Sequence, residues 1–372
     1  MSELRALTGA RGLAAWAVVL YHVRASIAGL PPSMEAAFAH GYLAVDFFFL
    51  LSGFVIWLTW GPRLHDGGVA AVPGFWRKRV ARIWPLHVAM LAFGVLLAAL
   101  FAATGRHDPA FPWAELPSHL LLVQNWGFTN RLTWNDPAWS ISCEAAAYLL
   151  FPICACALDW RRWPTPALLA SAVALLGLLA WGMADQPALG ADIPRFGLLR
   201  CLTEFGCGTI LAALYLRRLP LGLSLAVAVL AAAARWLGAP EALTVPTGFA
   251  ALLMLLAQTA GRPRHPLELA IVHYLGEISF ATYLSHFLLW KAFKLVFVHG
   301  DQVPPVTIAA YLLLVLIASV ALYHLWERPT QRWLNAAGPL PCREGFGVGP
   351  FRTRSVRGDA PPPVPPLKGG AE

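Results

Sequence analysis

"RGLAAWAVVLYH", Arg11 to His22, is the stretch on which the reading of this chain turns. It is apolar except for a fixed cation at its start and an imidazole at its end. The surrounding run, 12 to 30, matches the roughly 20 residues a helix needs to cross the hydrocarbon core of a bilayer. Eleven residues at about 3.6 per turn is close to three whole turns, so on a helix Arg11 and His22 share one face about 16 Å apart. One reading is topological, with Arg11 as a headgroup anchor and His22 as a packed core residue. The other is chemical, with both aligned along a reaction channel, the cation at its mouth and the imidazole near mid-membrane.

Working outward, the whole chain is too apolar for an ordinary soluble protein. Of its 372 residues 58% are hydrophobic and only 13% charged, and the mean hydropathy is +0.59. The 16 Trp and 20 Phe fit a polytopic helical protein with aromatic residues near the interfaces. The net charge of +8 does not call for nucleic acid, because most of it can be assigned to one side of a membrane. The six cysteines form no C-x-x-C pair, and all but Cys342 lie in apolar runs, so they are read as packing residues and no metal is expected. The first apolar run continues far enough to span and is read as retained, not as a cleaved signal.

Ten runs are long enough to be spans: 12 to 30, 42 to 60, 83 to 104, 139 to 158, 166 to 184, 197 to 216, 221 to 237, 242 to 260, 274 to 298 and 305 to 326. The expected fold is therefore an all-α, polytopic transmembrane bundle of ten helices with both termini on one side. Arg5, Arg11, Arg63, Arg77 to Arg82, Arg161, Arg162, Arg217, Arg218, Arg262, Arg264 and the Lys/Arg from Arg328 onward would lie on that side. The other side keeps Arg24, Arg106, Arg131, Arg195 and Arg235, an asymmetry that puts both termini in the cytoplasm. Residues 1–335 form the membrane domain. From 336 the chain turns to Pro, Gly and Arg, a composition that cannot bury a core, and a disordered cytoplasmic tail is expected to 372. In the longest outer loop, 105 to 138, "LPSHLLLVQNWGF" is long enough for a short interfacial helix.

Ionisable groups inside spans are costly and so are functional candidates, weighed against simple pairing or snorkelling. Asp46 in "GYLAVDFFFLLSGFVIW" needs a partner, for which His22 or a cation is the economical choice, unless it caps its helix. In "FWRKRVARIWP", Arg77, Lys78, Arg79 and Arg82 cluster at the cytoplasmic boundary, and Pro85 is expected to kink or restart the helix. Arg79 and Arg82 are three apart, which suits them to paired recognition of a phosphorylated ligand, although such clusters also anchor to anionic lipid. Glu144 lies inside the fourth span with Ser140 and Tyr148 each four residues away on its face. The ninth span sets Ser279, Tyr283 and His286 on one stripe, with Lys291 and Lys294 snorkelling outward. The tenth ends in "YHLWERP", where Pro329 is expected to stop the helix after Glu327 and Arg328.

With these residues in place the sequence resembles the membrane-bound acyltransferase 3 family, which O-acylates carbohydrates and related acceptors. The resemblance rests on "ARGLAAWAVVLYH", with the family's R-x10-H at Arg11 and His22, on "GYLAVDFFFLLSGF", and on "FWRKRVARIWP" with R-x-x-R at Arg79 and Arg82. "AWSISCEAAAYLLFP", "EISFATYLSHFLLW" and "WERP" complete it, so that it covers nearly all of the chain to about 335. It implies ten helices in a bacterial inner membrane and a cytoplasmic acyl-CoA donor, acetyl-CoA being common among relatives. His22 would be the catalytic base or acyl carrier, supported by Arg11, with Arg79 and Arg82, and Arg77 beside them, on the coenzyme's phosphates. Two departures are Thr8, where relatives carry Asp, and Ala147, where they carry an aromatic residue.

The expected chemistry is transfer from a thioester to a hydroxyl of a carbohydrate or glycosylated acceptor. An imidazole titrating near neutrality suits the removal of the hydroxyl proton. Asp46 or Glu144 would orient His22, and Ser140, Tyr148, Tyr283 and His286 would line the acceptor cavity. A ping-pong route through acyl-His22 fits the same residues. The competing class is a proton-coupled transporter, which also requires intramembrane His, Glu and Asp.

Overall fold

The computed structural model describes residues 4–336 except 107, 299 and 301. The expected tail, 336–372, lies outside the described residues apart from Ala336, as does Cys342. Ten long helices make up the described chain: α1 (Arg5–Val23), α2 (Ala44–Gly67), α3 (Val72–Ala103), α4 (Ala138–Ala157), α5 (Thr165–Gly182), α6 (Ile193–Leu216), α7 (Leu221–Trp236), α8 (Glu241–Thr259), α9 (Ser279–Phe297) and α10 (Pro305–Leu322). Each expected apolar run overlaps one of them, although 12 to 30 outruns α1, which ends at Val23, and 274 to 298 begins in a separate short helix, Ala270–Glu277. Among the described residues there is no strand, only one isolated parallel bridge between Ile27 and Val303.

Seven helical stretches are long and apolar enough to cross a membrane, one of which, Pro32–Ala103, contains both α2 and α3. The multi-pass character rests on these. α7, at 16 residues, is shorter than a full crossing. α9 is not among the seven and carries Lys291 and Lys294.

Two close crossings set the arrangement of the bundle. At the first, α2 lies against α6 so tightly that a Cβ on Gly53 would stand 2.0 Å from the Phe205 carbonyl oxygen, and one on Gly208 2.1 Å from that of Leu50. At the second, α1 crosses the segment before α9, where a Cβ on Gly276 would stand 1.9 Å from the Thr8 oxygen and one on Gly12 2.7 Å from the Gly276 nitrogen. Only glycine lets backbones approach to such distances, the usual device where lipid supplies no hydrophobic drive between helices. Gly53→Ala is therefore expected to destabilise the protein by about 1–3 kcal/mol, the cost of overpacking. Gly177→Ala, with nothing within 4 Å of the new methyl, is expected to be neutral or better. Thermal unfolding in detergent compares the two, and equal melting temperatures would deny the crossing its importance.

Some local expectations give way. α3 begins at Val72 and runs unbroken through Pro85, so the basic cluster sits inside its first turns and not before it. At the chain's other end α10 passes through one π-helical turn, Tyr323–Glu327, into a further helix, Arg328–Ala336, so Pro329 stops nothing. Among the described residues, the loop between α3 and α4 forms a 3-10 turn, Trp113–Glu115, and a five-residue helix, Leu116–Leu120, and then folds inward, with Trp134 and Asn135 buried. Irregular backbone at this level is tolerable only where protein satisfies it. The Asn135 amide meets that condition by donating to the Leu284 oxygen of α9 at 2.8 Å.

Candidate active site

α1 and α9 run side by side in the same direction. Arg11 reaches the start of α9: its Nε donates to Ser279 Oγ at 2.9 Å and its Nη2 to the Gly276 oxygen at 2.7 Å. Eleven residues further along, His22 meets His286, with the rings 4.9 Å apart. The glycine crossing just described brings the two helices near enough for both contacts. His22 occupies the last turn of α1.

The partners of the two imidazoles fix their tautomers. His286 Nδ1 lies 2.7 Å from the Tyr283 oxygen and 3.2 Å from that of Thr282. A carbonyl only accepts, so Nδ1 carries the hydrogen and Nε2 presents a lone pair. That lone pair faces His22 Nδ1 at 3.2 Å. His22 Nδ1 in turn lies 2.9 Å from the Val18 oxygen, so it too carries the hydrogen and shares it between the two acceptors. The other nitrogen of His22, Nε2, is left as a basic lone pair with no hydrogen-bond partner among the described residues.

Neither carboxylate expected to orient His22 touches it. Asp46, fully buried, is gripped by Arg200, whose Nη2 donates to both carboxylate oxygens at 2.8 and 2.9 Å and whose Nε adds a third bond at 3.1 Å. A guanidinium offers the paired donors that a carboxylate out of water needs, which an imidazole cannot match. Arg200 and the equally buried Glu204 on α6 were missed in the sequence. The signal was a charged pair one turn apart in an apolar run. Glu144 belongs to a second group, accepting from Ser52 Oγ and Tyr148 OH, each at 2.5 Å.

The rest of the expected acceptor cavity divides between these groups. Tyr148 stays with Glu144, but Ser140, one turn earlier on α4, bonds Tyr283 OH at 2.7 Å. Tyr283 lies one turn from His286, its ring 6.2 Å away. A discontinuous line of polar side chains thus runs from His22 through His286, Tyr283 and Ser140 to Glu144.

At the other end the basic cluster is unequally committed. Arg82 pairs with Glu327, which is buried and is turned inward where α10 makes its π-helical turn. Nearby, the Trp326 indole donates to the Pro85 oxygen at 3.0 Å. Arg77 and Arg79 are half-buried and the Nε of each is buried with no hydrogen-bond partner. Lys291, on α9, donates to Asp108 of the loop between α3 and α4 at 3.0 Å. Partial burial raises the Asp108 carboxyl, but the Ala110 amide and Lys291 outweigh it and hold the group below the usual carboxylate value.

Residues 4–324 match the family profile described as "Acyltransferase domain". Among similar proteins, "Acyltransferase MdmB" of Streptomyces mycarofaciens is 34% identical over 328 residues, covering 77% of this chain and 79% of that one. "Protein 2 in picA locus" of Rhizobium radiobacter is 43% identical over 96 residues, 26% of this chain and 44% of that one. "Putative peptidoglycan O-acetyltransferase YrhL" of Bacillus subtilis (strain 168) is 26% identical over 157 residues, 40% of this chain and 23% of that one. No solved structure matches the chain. Matched by one profile across nearly its whole described length and by a relative 34% identical over most of both chains, this helical bundle belongs to the acyltransferase 3 family.

Proposed function

We propose that the protein is a membrane O-acyltransferase that moves an acyl group, acetyl being the first choice, from cytoplasmic acyl-CoA to a hydroxyl of a carbohydrate or glycosylated acceptor. The observation that carries the reading is the free Nε2 of His22, left basic because Nδ1–H is committed to Val18 and His286. As the acceptor oxygen attacks the thioester carbonyl, its proton passes to Nε2. The carbon–sulfur bond breaks, and the same proton neutralises the departing thiolate, so one thiol leaves per ester formed. His286 acts as a positioning residue, holding the His22 tautomer through its own backbone-fixed ring. Arg11, fastened to Ser279 and Gly276, keeps a positive charge on the line the donor takes from the basic end.

Two observations support delivery from the arginine-rich end. The helices alternate so that Arg5, the α3 cluster and the Arg pairs after α4, α6 and α8 fall at one end, which under the positive-inside rule is cytoplasmic, as would be both termini of an inner-membrane protein. Arg77 and Arg79 have buried Nε donors with no partner, as a site for coenzyme phosphates requires, whereas Arg82 is engaged by Glu327. Arg79→Ala is expected to raise the KM for acyl-CoA about tenfold or more, the weight of one charged hydrogen bond, with kcat little changed. Steady-state kinetics with varied donor checks this, and an unchanged KM returns the cluster to lipid anchoring.

The direct test uses purified protein in nanodiscs with acetyl-CoA. Acceptor-dependent release of free thiol that His22→Ala abolishes is expected. Movement of an unmodified solute with no thiol release would instead favour a transporter.

A further inference from the structure

The outer loop holds a cleft that the chemistry above does not use. Its volume is about 510 Å3, and it opens between residues 125–130 and the start of α6, lined by Asn125, Trp126, Thr129, Asn130, Asp192 and Arg195. Beneath it, sharing Asn125 and Thr129, is a small void of about 10 Å3, room for one water or one hydroxyl group. His119, Gln124 and Asn135 line this void, and each is buried with one polar atom lacking a partner: His119 Nδ1, Gln124 Oε1 and Asn135 Oδ1.

All three orphaned atoms are acceptors. The Gln124 and Asn135 amide nitrogens donate to the Ala138 and Leu284 oxygens, so neither side chain can be turned about and each leaves its carbonyl bare. His119 Nε2 lies 2.9 Å from Thr133 Oγ1, whose hydrogen goes to Glu115 at 2.7 Å, so Nε2 must donate and Nδ1 keeps its lone pair. Burial pushes the His119 imidazole down to about 4, which keeps it neutral. Three unmet acceptors around one void require hydrogen-bond donors that the protein does not provide. Asn135 ties the wall of the void to α9, through its bond to the Leu284 backbone oxygen.

We infer that this cleft and the void below it form a subsite for a polyhydroxylated, glycosyl-bearing molecule. A sugar hydroxyl seated in the void donates its one hydrogen to one of the orphaned acceptors, while further hydroxyls of the same molecule meet Asn130, Asp192 and Arg195 at the rim. Trp126 is held by its indole N–H, which donates to the Ser142 oxygen at 2.8 Å, and offers a ring to the apolar face of a sugar. The subsite rests on the O-acyl-transfer reading only in that its ligand is taken to be the acceptor.

The test is saturation-transfer NMR on the full chain in nanodiscs with a panel of methyl glycopyranosides as probes. Ring-proton signals are expected for at least one glycoside. Asn130→Ala and Arg195→Ala, both at exposed positions, should weaken that binding about tenfold, as truncation of a binding anchor does. Trp126→Ala should act likewise, and His22→Ala should leave binding unchanged. No signal from any glycoside, or signals that survive all three cleft substitutions, would overturn the subsite. Acyl-CoA hydrolysis without acceptor separates the two ideas. If it depends on His22 while no glycoside binds, the subsite falls and acyl transfer stands. If glycosides bind and no thiol is ever released, the subsite stands and acyl transfer falls.

Discussion

Replacing His22 with Ala is expected to lower acyl-transfer turnover about 10²–10⁴-fold, the usual weight of a positioned general base. The reason lies in the single basic nitrogen that the site exposes. Nδ1 cannot take a proton because it already carries one, held by Val18 and His286, so Nε2 is the only route for the acceptor's hydrogen through this ring. Fold and donor affinity should survive, since the imidazole contributes one shared hydrogen bond and ring contacts with Tyr21, His286 and Phe287 at the end of α1, away from the basic cluster. The neighbouring ring gives a graded control. His286→Leu removes the acceptor opposite His22 Nδ1 and is expected to lower kcat with the KM values nearly unchanged, whereas His286→Gln, whose side-chain oxygen can still accept, is expected to recover part of the loss. Single-turnover kinetics on the three variants decides the matter. His22→Ala turnover within about tenfold of wild type would remove the ring from the chemistry.

Arg200→Ala is expected to cost about 3–5 kcal/mol of stability, the penalty for leaving a buried carboxylate without its counter-ion. Asp46 and Glu204 are both fully buried, and Arg200 is the cation bonded to Asp46. Its guanidinium also lies over the Trp139 ring at 5.3 Å, so truncation removes packing as well as charge. The triple variant Asp46→Asn, Arg200→Gln, Glu204→Gln removes all three charges while keeping the shapes of the two acidic side chains. It is expected to recover most of the loss and to retain acyl transfer, because Asp46 touches Arg200 and not His22. Unfolding midpoints in detergent, read beside activity, check both halves. A stable Arg200→Ala, or a folded but inactive triple variant, would contradict the structural role given to this cluster.

What the sequence revealed and what it hid follow one physical division. Helical periodicity is local, so the shared face of Arg11 and His22, the pairing of Glu144 with Tyr148 and the stripe of Ser279, Tyr283 and His286 could all be read from spacing. Each of those three stripe residues then proved to face a different neighbour. Choice of partner depends on which helices lie together. Arg200 is 154 residues from Asp46, Glu327 is 245 from Arg82, and His286 is 264 from His22. The first and third of those pairings follow the close backbone contacts at Gly53, Gly208, Gly12 and Gly276, and nothing in the spacing of polar residues announces any of the three. The inward fold of the outer loop was hidden for a further reason: its composition reads as a surface connection, and only its long-range bonds draw it in.

The bond from Asn135 to Leu284 joins positions 149 residues apart. It sets a timetable for biogenesis. While the ribosome is still making the later helices, the first four can already have entered the lipid, and the loop joining the third to the fourth can bond to both of them, yet it lacks its tie to the ninth and His22 lacks the ring of His286. The reactive centre therefore closes only once the ninth helix has left the insertion machinery, so a chain interrupted before that moment reaches the bilayer inert.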